Sequence, residues 1–266
     1  MRITNCFNAL EEKDRTALIP YITAGSPDPE VTVRIMHELV RHGSDIIELG
    51  FPFSDPVADG PVIAQAHQDA LNHGVTLNDV LSMVARFRKN DITTPIVLMG
   101  YMNPLEMMGY ETFTEKASNA GVDGVLIVDL PAEPARDLNQ VLVKKQIVMI
   151  QLITPSTPDH RIKTICSIAG GYLYYVSIKG VTGSAIPDTD SVNQRVQHIR
   201  QFTHLPVAVG FGIRDGQSAA AVGHVADAVV TGTVLVRDLL NYSSAGEQCI
   251  QDACSRINEM RQALDA

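Results

Sequence analysis

The sequence predicts an α/β protein built as one eight-stranded (β/α)8 barrel over residues 1–266, with an extra helix at its amino terminus. Three observations carry this expectation. Eight short apolar runs rich in Val, Ile and Leu recur along the chain, and amphipathic segments alternate with them. From Ala17 to Ala226 there are seven intervals over 209 residues, about 30 each, the length of one βα unit. No Pro/Ser-rich linker divides the chain. Nearly continuous apolar strands suit a parallel sheet covered on both faces. Eight of them alternating with helices fit a closed barrel better than an open doubly wound sheet.

Taken in order, Asn5–Glu12 forms the extra helix, with Phe7 and Leu10 on one face to plug the barrel floor. The first strand is Ala17–Thr23. After the turn Ser26-Pro27-Asp28-Pro29, Glu30–His42 places Val33, Met36, Leu39 and Val40 on one helical face. The second strand is Asp45–Gly50, followed by helices at Pro61–Asn72 and at Thr76–Lys89, which carries Leu77, Val80, Leu81, Val84 and Phe87. Strands at Pro95–Tyr101, Val122–Asp129 and Ile147–Ile153 come next. Helices at Pro134–Lys145 and Pro158–Ile168 each begin with proline, whose missing N–H costs nothing in a first turn. The last three strands are Gly171–Ser177, Pro206–Gly210 and Ala226–Gly232. Met107, Met108 and the other methionines read as packing.

Composition narrows the function classes. Thirty acidic residues against 21 basic give a formal charge of −9, which speaks against nucleic acid or an anionic membrane as partner. No apolar run approaches the roughly 18 residues of a membrane span, and charge interrupts Met1–Arg15 where a signal peptide needs apolar residues. Cys6, Cys166, Cys249 and Cys254 are scattered, so reduced thiols in a cytoplasm are expected and no metal site. An anionic substrate must then be held locally, by backbone amides or a helix end.

In a barrel, chemistry belongs at the carboxyl ends of the strands. There, Glu48 lies between Ile47 and Leu49 within an apolar strand, where desolvation raises a carboxyl pKa toward neutrality. A solvated strand tip is the competing reading. Asp55 and Asp59 follow in a Pro- and Gly-rich loop, and each has the alternative of capping a turn or the next helix. One carboxylate on a strand tip and one on the following loop can face one cavity as separate acid and base. Glycine-rich clusters follow the last three strands: Gly180–Ser184, Gly210–Ile213 and Thr231–Thr233. Loops there commonly bind phosphate in barrels. Tyr172 and Tyr174 share a strand face, and either can line a pocket or pack a core. Lys179 raises the alternative of a Schiff-base aldolase, though its flanks Ile178 and Gly180 read as a mobile loop. The histidines, His67 among them, lack ligand spacing and read as surface or core residues.

Glu48-Leu49-Gly50, Pro52-Phe53-Ser54-Asp55-Pro56 and Ala58-Asp59-Gly60-Pro61 closely resemble the signature of the tryptophan synthase alpha chain family. The match runs on through Pro20–Gly25, Tyr101 and Asn103, Asp129-Leu130-Pro131, Gly180–Gly183, Gly210–Ile213 and Gly232-Thr233. This resemblance implies a TIM-barrel lyase that cleaves indole-3-glycerol phosphate to indole and glyceraldehyde 3-phosphate. It implies an α2β2 assembly with a beta chain that carries pyridoxal phosphate, and no cofactor or metal in this chain. Residue by residue, it implies that Asp59 bonds the indole N–H and that Glu48 moves protons between indole C3 and the glycerol hydroxyl. Tyr21 and Tyr174 would line the substrate site, with Thr182 and Phe211 also on it, and Gly183, Gly212, Gly232 and Thr233 would hold phosphate. Pro52, Asp55, Asn103 and Pro131 would touch the beta chain. A different phosphosugar aldolase using Lys179, or a non-catalytic binding module, are the rival classes; the second has no need for both Glu48 and Asp59.

Overall fold

Parallel hydrogen bonding runs without a break around the molecule. A computed structural model describes residues 1–177, 189–210 and 212–266. Its strands are β1 (Ala17–Thr23), β2 (Ile47–Gly50), β3 (Ile96–Gly100), β4 (Gly124–Ile127), β5 (Val148–Ile153), β6 (Leu173–Val176), β7 (Val207–Gly210) and β8 (Ala228–Thr231). Each pairs in parallel with the next, and β8 pairs with β1, closing the barrel. Alternate residues therefore fall into two packing zones. Leu18, Ile22, Ile47, Leu49, Leu98 and Val125 face the surrounding helices. Ile19, Ile46, Val97, Leu126, Ile150 and Tyr172 fill the lumen.

The amino-terminal helix spans Arg2–Glu11, three residues longer at its start than the sequence suggested. Ile3, Phe7 and Leu10 join the lumen residues and seal the floor. The Phe7 ring packs on Tyr172, with centroids 5.9 Å apart.

Helix boundaries shift where caps override apolar periodicity. Asp28 caps Pro29–Arg41 by accepting from the Glu30 N–H, and Thr76 and Asp79 form a reciprocal capping box on Leu77–Phe87. Pro134 is not in a first helical turn: that helix is Arg136–Lys144, with Ala135 at its cap. Pro158 caps Asp159–Cys166. Met107 is 82% exposed, so it is surface rather than packing, while Met108 packs against the core.

Several helices were not anticipated, including Met102–Met108, Tyr110–Ala120 and the long carboxy-terminal Glu247–Leu264. The buried face of Tyr110–Ala120 is Phe113, Thr114, Ala117 and Ala120, too small and too polar to stand out as an apolar stripe. Arg261, on the last helix, bonds the Thr16 carbonyl and Asp45, tying that helix to the start of the barrel. No helix among the described residues is long and apolar enough to cross a membrane.

Candidate active site

β1 and β2 run in register, with Tyr21 opposite Glu48. Both therefore belong to the lumen side near the carboxyl-terminal mouth. Glu48 is fully buried, which excludes the solvated strand tip. The Tyr172 hydroxyl donates to Glu48 Oε1 at 2.6 Å. Its Oε2 is also buried and accepts no hydrogen bond from the described residues. Loss of solvent pushes the carboxyl up to about 7, with the Tyr172 hydrogen bond opposing the shift. Of the two tyrosines sharing the β6 face, Tyr172 grips the carboxylate. Tyr174 lies above it, partly exposed, with its hydroxyl over Gly210: a Cβ there would come within 2.1 Å of the oxygen.

Asp59 does not cap the helix that follows it. Gly60 is the cap of Pro61–Asn72 and makes no side-chain capping bond. Instead Asp59 Oδ2 accepts from the Tyr101 hydroxyl at 2.7 Å, and the same hydroxyl accepts from the Ala58 N–H at 3.1 Å. The Phe53 ring stacks on Tyr101 with centroids 5.1 Å apart. Tyr101 ends the β3 region, so a neighbouring strand holds the β2 loop by its one acidic side chain that faces inward. Asp55, by contrast, is exposed and accepts from the neighbouring Ser54 Oγ at 2.9 Å.

His67 is a residue that sequence reasoning passed over. Its ring is buried, accepts from the Phe53 N–H at 3.0 Å, and places Nε2 3.5 Å from Asp59 Oδ2. A signal was present: His67 falls on the helical stripe of Ile63, Ala66 and Ala70, the face turned toward the barrel. The Tyr21 hydroxyl finds its partners at Thr23 Oγ1, 3.3 Å away, and His67 Nε2, 3.4 Å away.

Gly212 has a φ of +80°, a conformation that favours glycine, and is exposed in the loop after β7. Gly232 caps the short helix Thr233–Leu239 without any side-chain bond, so its leading amides stay free of such a cap. Thr182, Gly183, Phe211 and Lys179 lie outside the described residues. On the rim, Asp55, Asn103 and Pro131 are exposed, whereas Pro52 is buried and shapes its loop from within. No group of three or more His, Cys, Asp or Glu among the described residues is arranged to hold a metal ion.

A family model described as "Tryptophan synthase alpha chain" matches residues 7–265. The chain belongs to the tryptophan synthase alpha chain family. It is 52% identical to the alpha chain of Marinobacter nauticus over 265 residues, covering 100% of this chain and 98% of that one. It is 52% identical to the alpha chain of Thioalkalivibrio sulfidiphilus, covering 99% of each. Among solved structures, tryptophan synthase subunit alpha from Legionella pneumophila superposes with a TM-score of 0.93 at 41% identity, over 99% of this chain and 98% of that one. Tryptophan synthase from M. tuberculosis, in an aminoacrylate-bound form, superposes at 0.87 and 28% identity over 99% of each chain. As a tryptophan synthase alpha chain the protein is an enzyme subunit, and its family pairs it with a beta chain, the chain to which the pyridoxal phosphate belongs.

Proposed function

We propose that this alpha chain cleaves indole-3-glycerol phosphate into indole and glyceraldehyde 3-phosphate, a retro-aldol carbon–carbon lyase reaction. The observation that supports it most is Glu48: a buried carboxyl near neutrality, gripped by Tyr172 through one oxygen and, among the described residues, unbonded at the other. A group that gives and regains a proton in one turnover works best with a pKa near the working pH.

The bond to be broken joins indole C3 to the hydroxyl-bearing carbon of the glycerol chain. Protonated Glu48 delivers its proton to C3, and positive charge develops at the ring nitrogen. Asp59 accepts a hydrogen bond from that N–H and stabilises the charge, its own orientation being set by Tyr101. As the C3–carbon bond breaks, the electron pair returns to the ring and the glycerol hydroxyl becomes the aldehyde. Glu48 takes up the hydroxyl proton, so it finishes as it began.

Tyr21 and Tyr174 would bracket the indole from β1 and β6. Gly183, Gly212, Gly232 and Thr233 would hold the phosphate end by backbone amides, with Thr182 and Phe211 also on the substrate site. Such a local anion site suits a chain of net charge −9. Asp55, Asn103 and Pro131 on the rim, with Pro52 beneath, would face the beta chain in an α2β2 assembly. A cytoplasmic location accords with a soluble biosynthetic enzyme family. The test is release of indole from indole-3-glycerol phosphate, with and without a beta chain. No release in either condition would overturn the proposal, and borohydride trapping of a covalent adduct would favour a Schiff-base aldolase instead.

A further inference from the structure

His67 is 2% exposed, and both of its ring nitrogens face polar atoms. The Phe53 N–H donates to Nδ1 at 3.0 Å, which makes Nδ1 the acceptor and puts the ring hydrogen on Nε2. That hydrogen is directed at the Tyr21 oxygen, 3.4 Å from Nε2, with Asp59 Oδ2 beside it at 3.5 Å. Tyr101 approaches the same Asp59 oxygen at 2.7 Å. The backbone of the loop that carries Asp59 thus selects the tautomer of the imidazole that faces Asp59. Packing alone asks no such arrangement of a side chain on an apolar helix face, where leucine or methionine fills the volume without a desolvation cost.

We propose that His67 is a positioning residue for Asp59: its Nε2–H, bonded to Tyr21, sits 3.5 Å from Oδ2 while the Tyr101 hydroxyl bonds that oxygen, leaving Oδ1 for the substrate N–H. The inference rests on the reading of Asp59 as the partner of the indole nitrogen. A carboxylate held by one donor can swing about that bond. A polarised N–H beside it on a different element opposes that swing, and a fixed acceptor stabilises developing charge without reorganising. Because the effect is on orientation as charge develops, it belongs in kcat rather than in KM.

The experiment measures kcat and KM for indole release by the full chain with a beta chain present, alongside melting temperature. His67→Leu, which keeps volume but has no N–H, should lower kcat by about tenfold with KM changed by less than about twofold. His67→Ala, which leaves a cavity instead, should lose kcat to a similar extent despite its different packing. His67→Gln, whose amide reaches about as far as Nε2, should recover kcat to within about threefold of the native enzyme. In an Asp59→Asn background, His67→Leu should change the residual rate by less than about twofold, because its effect passes through the missing carboxylate. Native kcat in His67→Leu overturns the inference. So do equal losses in the leucine and glutamine variants, or a tenfold loss that persists in Asp59→Asn. Asp59→Asn retaining the native rate would overturn the reading of Asp59 and this inference with it. An inactive Asp59→Asn beside a fully active His67→Leu would overturn this inference alone.

Discussion

The Tyr172 hydroxyl and Glu48 meet across the barrel lumen at 2.6 Å, although 124 positions separate them in the chain. Tyr172 rests on Phe7 of the floor helix and reaches up to the carboxylate on β2. The packed lower core therefore supports the group proposed to carry the proton.

Replacing Glu48 by Gln keeps the shape and removes the proton carrier. The expected result is a fall in kcat of roughly 10²–10⁴, with binding of a phosphate-bearing substrate analogue nearly unchanged. Steady-state kinetics with indole-3-glycerol phosphate checks this, and a loss of less than about tenfold would sink the assignment.

The same variant carries a stability signature. Glu48 is raised from 4.5 to about 7 on folding. A raised carboxyl pKa means that the folded state disfavours the charged form, so the native protein loses stability as pH climbs from 4.5 toward 7 and is level above. Glu48→Gln has no proton to lose. Its melting temperature should exceed the native one by several degrees at pH 8, with the difference gone by pH 4. The corresponding free energy is of order 3 kcal/mol at most. A difference independent of pH would contradict the burial-driven shift.

Tyr101→Phe removes the donor to Asp59 and the acceptor of the Ala58 N–H, leaving the ring stacked on Phe53. The loss of a hydrogen bond to a charged group, about 1.5–3 kcal/mol, should appear mainly in kcat, by about tenfold or more. Unchanged kcat would mean that Asp59 keeps its orientation without Tyr101.

Gly210 ends β7 where a Cβ would stand 2.1 Å from the Tyr174 oxygen and 2.6 Å from the ring carbon bearing it. Gly210→Ala should displace Tyr174, destabilising the fold by about 1–3 kcal/mol and slowing cleavage. In a Tyr174→Leu background the added methyl should cost little stability. Urea unfolding of the four proteins of this cycle decides it, and additive effects would refute the contact.

Asp55 is exposed, and its side chain accepts a hydrogen bond from its neighbour Ser54. Asp55→Ala should reduce activation by the beta chain far more than the activity of the isolated chain. Equal reductions would assign Asp55 to folding or chemistry rather than to the partner.

The alternation of strands and helices was legible in the chain because it is local. Apolar runs such as Val207–Gly210 and capped segments such as Leu77–Phe87 carry their periodicity within a few residues. The carboxylates Glu48 and Asp59 were legible for the same reason, each standing out within its own short motif. Helix Tyr110–Ala120 was not, since its inner face is mostly small or polar side chains whose burial comes from neighbours rather than from their own hydrophobicity. Which tyrosine of the Tyr172–Tyr174 pair reaches Glu48 could not be read from alternation, because both lie on one face. Only closure of the barrel, bringing β2 opposite β6, sets that height and leaves Tyr174 nearer the mouth. The Asp59–Tyr101–His67 cluster likewise joins a loop, a strand end and a helix. Sequence could supply the groups, but only closure of the barrel, with a neighbouring strand and the following helix packed on the β2 loop, brings Asp59 Oδ2 to 2.7 Å from the Tyr101 hydroxyl and 3.5 Å from His67 Nε2.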